Sequence, residues 1–206
     1  MPETRLPDAD AAGARVRAAF AARALPPPAA SVLRPEAASE GASLREALAS
    51  LGPDAAPVSV AAVAEGKLWM LEAETFRYHL PALLLAVLAD PAGQSPLAAE
   101  LIEALTLPER SDIEARFDRI DEAPVEARLD PVLFAGLRGK LLADFDEGRP
   151  ARLFRQRCDA LTDSQGAAVL AVLRVLAAQT ELAYLGAAIA GAMARYWHRF
   201  EQPRQE

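Results

Sequence analysis

A single cysteine, Cys158, excludes an intrachain disulfide, so the fold has to rest on an apolar core. The two histidines, His79 and His198, lie more than a hundred residues apart. With one cysteine they do not supply a common zinc set, and Asp144-x-Asp146-Glu147 lacks the rest of a calcium loop. No Gly-rich phosphate loop, no G-x-S-x-G and no H-E-x-x-H occurs. Neither a metal nor a cofactor is expected. Aromatic residues make up only 6% of the chain, and no segment alternates apolar with polar residues. Strands recruit β-branched and aromatic side chains, so a sheet is not expected.

Long uninterrupted apolar runs are also missing. The most membrane-like stretch, Ala167–Ala194, is broken by Arg174, Gln179 and Glu181. Only Leu182–Ala194 remains without a polar break, short of the roughly 20 residues a spanning helix needs. The first residues, Met-Pro-Glu-Thr-Arg-Leu-Pro, lack the basic-then-apolar order of a signal peptide. The expectation is a soluble cytoplasmic protein that spans no membrane. A net basic footprint is absent as well. Between Glu100 and Asp130 ten acids face four arginines, which gives 6 of the net −7 charges. From Arg149 onward eight arginines face five acids. This balance argues against a dedicated nucleic-acid binder.

What is present is alanine- and leucine-rich sequence, 52% apolar over 206 residues. That suits closely packed helices and one well-buried domain. Residues 8–24 read as a helix with Val16 and Phe20 on one face, stopped by Leu25-Pro26-Pro27-Pro28. Residues 26–57, rich in Pro and Ala, are expected to lie partly irregular across the body, with a short helix in Ser43–Leu51. Another short helix is expected over Ser59–Glu65. A helix beginning near Glu72 meets Pro81, where a missing N–H and a clash with the preceding turn predict a bend or restart. Beyond it Leu83–Leu88 is apolar on every side, as a central buried helix is.

Ser95-Pro96 and Asp130-Pro131 predict two further helix starts. Thr106-x-x-Glu109 and Ser111-x-x-Glu114 are alternative capping boxes for the helix carrying Ile113, Phe117 and Ile120. Thr162-x-x-Gln165 opens the longest helical pattern, over 163–200, with a break at Gln179–Thr180 or Gly186 left open. In it Val172, Val175, Leu182, Ile189, Met193, Tyr196 and Phe200 fall on one stripe. Ala183, Ala187, Ala190 and Ala194 form a stripe of small residues beside it, suited to close helix packing. The fold class is all-α: one compact multi-helix domain over 8–200, with a central apolar helix after Pro81, a long C-terminal helix, and flexible tails at 1–7 and 201–206.

Three blocks carry a resemblance: Val16-Arg17-Ala18-Ala19-Phe20 before the prolines, Met70-Leu71 through Phe76-Arg77-Tyr78-His79-Leu80-Pro81-Ala82, and Leu161-Thr162-x-x-Gln165-x-x-x-Val169-x-x-Val172-Leu173. On these the chain resembles a bacterial family of unknown function. It departs from the family pattern at His79, where tyrosine is usual, at Val172, where phenylalanine is usual, and in having no tryptophan over 43–64. The resemblance implies that residues 26–57 belong to the domain, and it implies no activity.

Two places could carry function. Phe76, Arg77, Tyr78 and His79 occupy nearly one helical turn just before Pro81. There Arg77 could hold an anion and His79 move protons, as in a metal-independent enzyme. The alternative is a buried turn whose arginine satisfies freed carbonyls. The second place is a candidate partner surface: the basic cluster Arg149, Arg152, Arg155 with Arg157, and the aromatic–arginine end Tyr196, Trp197, Arg199. Local ion pairing with Asp144, Asp146 and Glu147 is the competing reading for the cluster, and folding back onto the domain competes for the end. Cys158, flanked by Arg157 and Asp159, reads as a bystander thiol rather than a nucleophile. With no recognisable catalytic set, the leading expectation is a non-catalytic interaction protein, of an accessory or immunity type, that binds another protein or itself.

Overall fold

Some helix starts coincide with capping residues, although Ser95 does not cap the helix it opens, whose N-cap position is Gln94 without a side-chain bond. Asp8 accepts from the N–H groups of Asp10 and Ala11 to open α1 (Ala9–Ala19). The computed structural model describes residues 8–22, 33–37, 41–51, 55–121 and 130–201, and among them ten α-helices and no β-strand. The helices after α1 are α2 (Ala42–Ser50), α3 (Pro57–Ala64), α4 (Ala73–Ala89), α5 (Ser95–Ala104), α6 (Arg110–Asp121), α7 (Pro131–Asp146), α8 (Arg149–Cys158), α9 (Asp163–Ala177) and α10 (Gly186–Arg195). The chain is thus an all-α domain. The tails 1–7 and 202–206, and residues 23–32, 38–40, 52–54 and 122–129, lie outside the described residues.

At the centre is α4, packed by α1, α3, α5, α8 and α9. From Phe76 to Leu88 nearly every side chain on it is buried, which fits its all-round apolar sequence. Pro81 does not restart the helix, which runs unbroken from Ala73 through the proline. Its start is set earlier by Glu72, whose carboxylate accepts from Ala73 N–H. The proline is itself buried, so packing on both flanks holds the helix together across the missing hydrogen bond.

The described parts of 26–57 pack on the body. Leu33 makes one antiparallel bridge with Leu71, and Arg34 N–H donates to the Met70 carbonyl at 2.8 Å. Ala37, Leu44 and Leu48 are buried alongside.

The pattern over 163–200 is not one helix. After the Thr162–Gln165 capping box forms as expected, α9 ends at Ala177. A 3-10 turn over Thr180–Leu185 and then α10 follow, and a second 3-10 turn, Trp197–Phe200, closes the fold. A continuous helix of that length would extend about 57 Å, whereas a chain of this size has a radius of gyration of roughly 17 Å. The break lets Leu182, Ile189, Trp197 and Phe200 all reach the core. Gly166 permits the last turn to seat on α9, because a Cβ there would lie 2.4 Å from the Phe200 ring. The expected role of the alanine stripe fails: Ala183, Ala187, Ala190 and Ala194 all face solvent.

At the start of α6 neither expected capping box forms. Asp112 instead accepts from Glu109 N–H at 2.8 Å, while the Thr106 hydroxyl donates back to the Ile102 carbonyl. Between α7 and α8 the chain reverses at Gly148, whose φ of +70° suits a residue without Cβ.

Candidate functional site

The turn before Pro81 ties α4 to α8. The Arg77 guanidinium donates through Nη1 to the Gln156 carbonyl. Tyr78 and His79 meet edge to face, 4.9 Å between ring centroids, and His79 is buried. Phe76 is fully buried, and the Arg157 guanidinium lies 4.6 Å from its ring centroid. Arg77 is thus directed at a backbone carbonyl and His79 is sealed into the core. The arrangement packs α4 against α8, and the carbonyl that Arg77 meets belongs to α8 rather than to those freed by Pro81.

Arg157, grouped by the sequence with the surface cluster, is instead buried. It is 4% exposed, and Nη2 donates to the carbonyls of Leu68 and Leu71 at 2.8 and 2.9 Å. It thereby fixes the turn that leads into α4. Its Nε is buried and has no hydrogen-bond partner among the described residues. Burial, reinforced by repulsion from Arg34, pulls the guanidinium pKa down to about 10, so the group still carries its charge at neutral pH.

The rest of the basic cluster is local. Arg149 pairs with Asp144 at 3.1 Å and Glu147 at 2.7 Å, and Arg152 donates to the Glu147 carbonyl at 2.5 Å. Arg155 is exposed. The acidic stretch is paired as well, since Arg195 binds Asp112 at 2.5 Å and Glu109 at 3.1 Å, and Arg116 binds Glu103 at 2.6 Å. Asp146 is held by Arg110.

The aromatic end folds back, which removes two residues from the expected partner surface. Trp197 is fully buried and donates from Nε1 to the Leu105 carbonyl at 2.6 Å. Tyr196 is buried, with its hydroxyl donating to Asp159 at 2.6 Å. Arg199 is exposed but lies over the Tyr196 ring at 3.8 Å. An indole and a phenol of this size contribute more inside the core than on a wet surface.

Among the described residues, three of the six large exposed apolar side chains lie together elsewhere, on α7. This 16-residue helix carries Val132, Leu133, Phe134, Leu137, Leu141, Leu142 and Phe145, yet none of its residues is buried. It packs mainly on α6 and α8, with Phe134 edge-on to Phe117 at 5.2 Å. Val132 is 82% exposed, Leu133 61% and Leu137 40%.

No family model matches the chain, and neither a curated protein nor a solved structure shows significant similarity to it. The resemblance to a bacterial family of unknown function therefore rests on the three sequence blocks alone. No single described helix is long and apolar enough to cross a membrane.

Proposed function

We propose that this protein is a non-catalytic interaction module that binds another protein through α7. The observation that supports the reading is a helix apolar around its circumference and buried nowhere along its length. Adjacent large apolar side chains facing water are unfavourable by roughly 25 cal/mol per Å², and contiguous patches of that kind mark interaction sites. Asp130 caps this helix through the N–H groups of Val132 and Leu133, so its first turn is formed in the free protein. A preformed helix loses little freedom on docking.

The test is Leu133→Glu, assayed by cross-linking and affinity capture from the native source alongside light scattering. A surface substitution of this kind changes stability by less than about 0.5 kcal/mol. Partner capture is expected to fall on the order of 30-fold, the loss typical of an interface anchor. Equal capture by the variant, or a wild-type chain that stays monomeric and recovers no partner, would overturn the proposal.

A further inference from the structure

A half-open cavity of about 490 Å³ lies between the 3-10 turn Leu68–Met70, the end of α5 and the side of α8. That volume falls within the range of small-molecule sites. Its apolar wall is formed by Leu68, Trp69, Leu153 and Phe154. Trp69 is 48% exposed, unusual for a side chain of that size away from a binding surface.

Four charged side chains line the same cavity, and three have ordinary structural work. Glu103 is paired with Arg116, and Glu100 accepts from the N–H groups of Gly66 at 2.6 Å and Leu68 at 3.5 Å. Arg157 is the fourth. Its hydrogen bonds run from Nη2 to two carbonyls, and it makes no close ion pair among the described residues, Glu72 favouring its charge only from further off. Carbonyl dipoles compensate a buried guanidinium only in part, and an unpaired buried cation is costly. A carboxylate placed there would form the charge-assisted pair the protein itself does not supply.

We propose that this cavity binds a small monocarboxylic acid with an apolar body, its carboxylate on Arg157 and its body against Trp69 and Leu153. The charge of the lining selects the class. Arg116 is taken by Glu103 and Glu100 by backbone N–H groups, which leaves Arg157 as the lining cation to receive one carboxylate. A phosphate dianion or a nucleotide polyphosphate would meet Glu100 and Glu103 on the same wall. A cationic ligand would meet the Arg157 guanidinium. The site is distinct from the α7 face and does not depend on it.

The test uses the intact chain with phenylacetate, indole-3-acetate and octanoate, each beside its neutral amide, followed by ligand-observed NMR. At least one acid is expected to bind saturably, with its amide roughly tenfold weaker, as loss of a charge-assisted hydrogen bond requires. Arg157→Met removes the partner but also frees two buried carbonyls, so Leu153→Trp serves as the second variant. It fills the cavity from the surface of α8 and is expected to abolish binding while the melting temperature is kept. Absence of saturable binding by all three acids would overturn the proposal. Equal affinity of acid and amide, or undiminished binding by folded Leu153→Trp, would do the same.

Discussion

Burial rather than neighbouring charge sets the chemistry of Cys158. Its side chain is fully buried, and desolvation pushes the thiol up to about 12 against the weaker pull of Arg157. At pH 8 the thiolate population is then roughly a thousandfold below that of a free cysteine. Iodoacetamide should label the native protein at least about a hundredfold more slowly than the unfolded chain; comparable rates would restore a nucleophilic reading. Because the folded pKa lies above the unfolded one, the thiol's contribution to stability is complete below about pH 8.5 and is lost as pH rises toward 12. The sequence expected a bystander thiol at Cys158, but neither its full burial nor that of Arg157 one residue before it was legible there. Four arginines spaced over 149–157 read as a solvated cluster. Helical phase separates them: on α8, Arg157 lies roughly 160° from Arg155 and falls on the side of Phe154 and Cys158, which are also buried. That signal was available only once 149–158 was recognised as a helix.

Single-residue caps made several elements legible, because a cap is a local hydrogen-bond pattern that a short sequence specifies. Thr162–Gln165 and Asp130 act as expected. The start of α6 is different, since it depends on a partner distant in the chain. Asp112 shows this well: it holds the Glu109 N–H just before α6 and accepts from both Arg195 Nη atoms of α10, at 2.5 and 2.9 Å. Burial opposes its ionisation, but the Arg195 hydrogen bonds outweigh it and hold the carboxyl below its ordinary range. A depressed folded pKa means that this clamp stabilises above about pH 3.9 and is lost as pH falls through the folded value. The group is partly exposed, so Asp112→Asn should cost only about 0.2–1 kcal/mol near pH 7. In urea titrations the difference from wild type should shrink as pH falls below the ordinary carboxylate range. A difference that stays constant from pH 7 to pH 2 would show that the ion pair is not its source.

Across the whole molecule, two helices with apolar residues all round end in opposite places. The sequence identified α4 as central, and it is enclosed by five other helices. The same property in α7 gave no warning that it would sit at the edge, because burial is decided by which elements reach a helix and not by the helix itself. The core is one continuous cluster that runs from α1 to the last 3-10 turn and draws no buried residue from α7. Local opening free energy scales with the contacts an element must give up. Detaching α7 breaks mainly its packing on α6 and α8, whereas α4 and α9 cannot open without disrupting the core. In the isolated protein, amide hydrogens of α7 should therefore exchange on the order of a hundredfold faster than those of α4 and α9. Adding the bound partner should slow α7 selectively, since docking adds the packing that the chain alone lacks. Equal protection of α7 and α4 in the isolated protein would mean that the helix is already stabilised by this chain, and would remove the physical reason for expecting a protein to cover it.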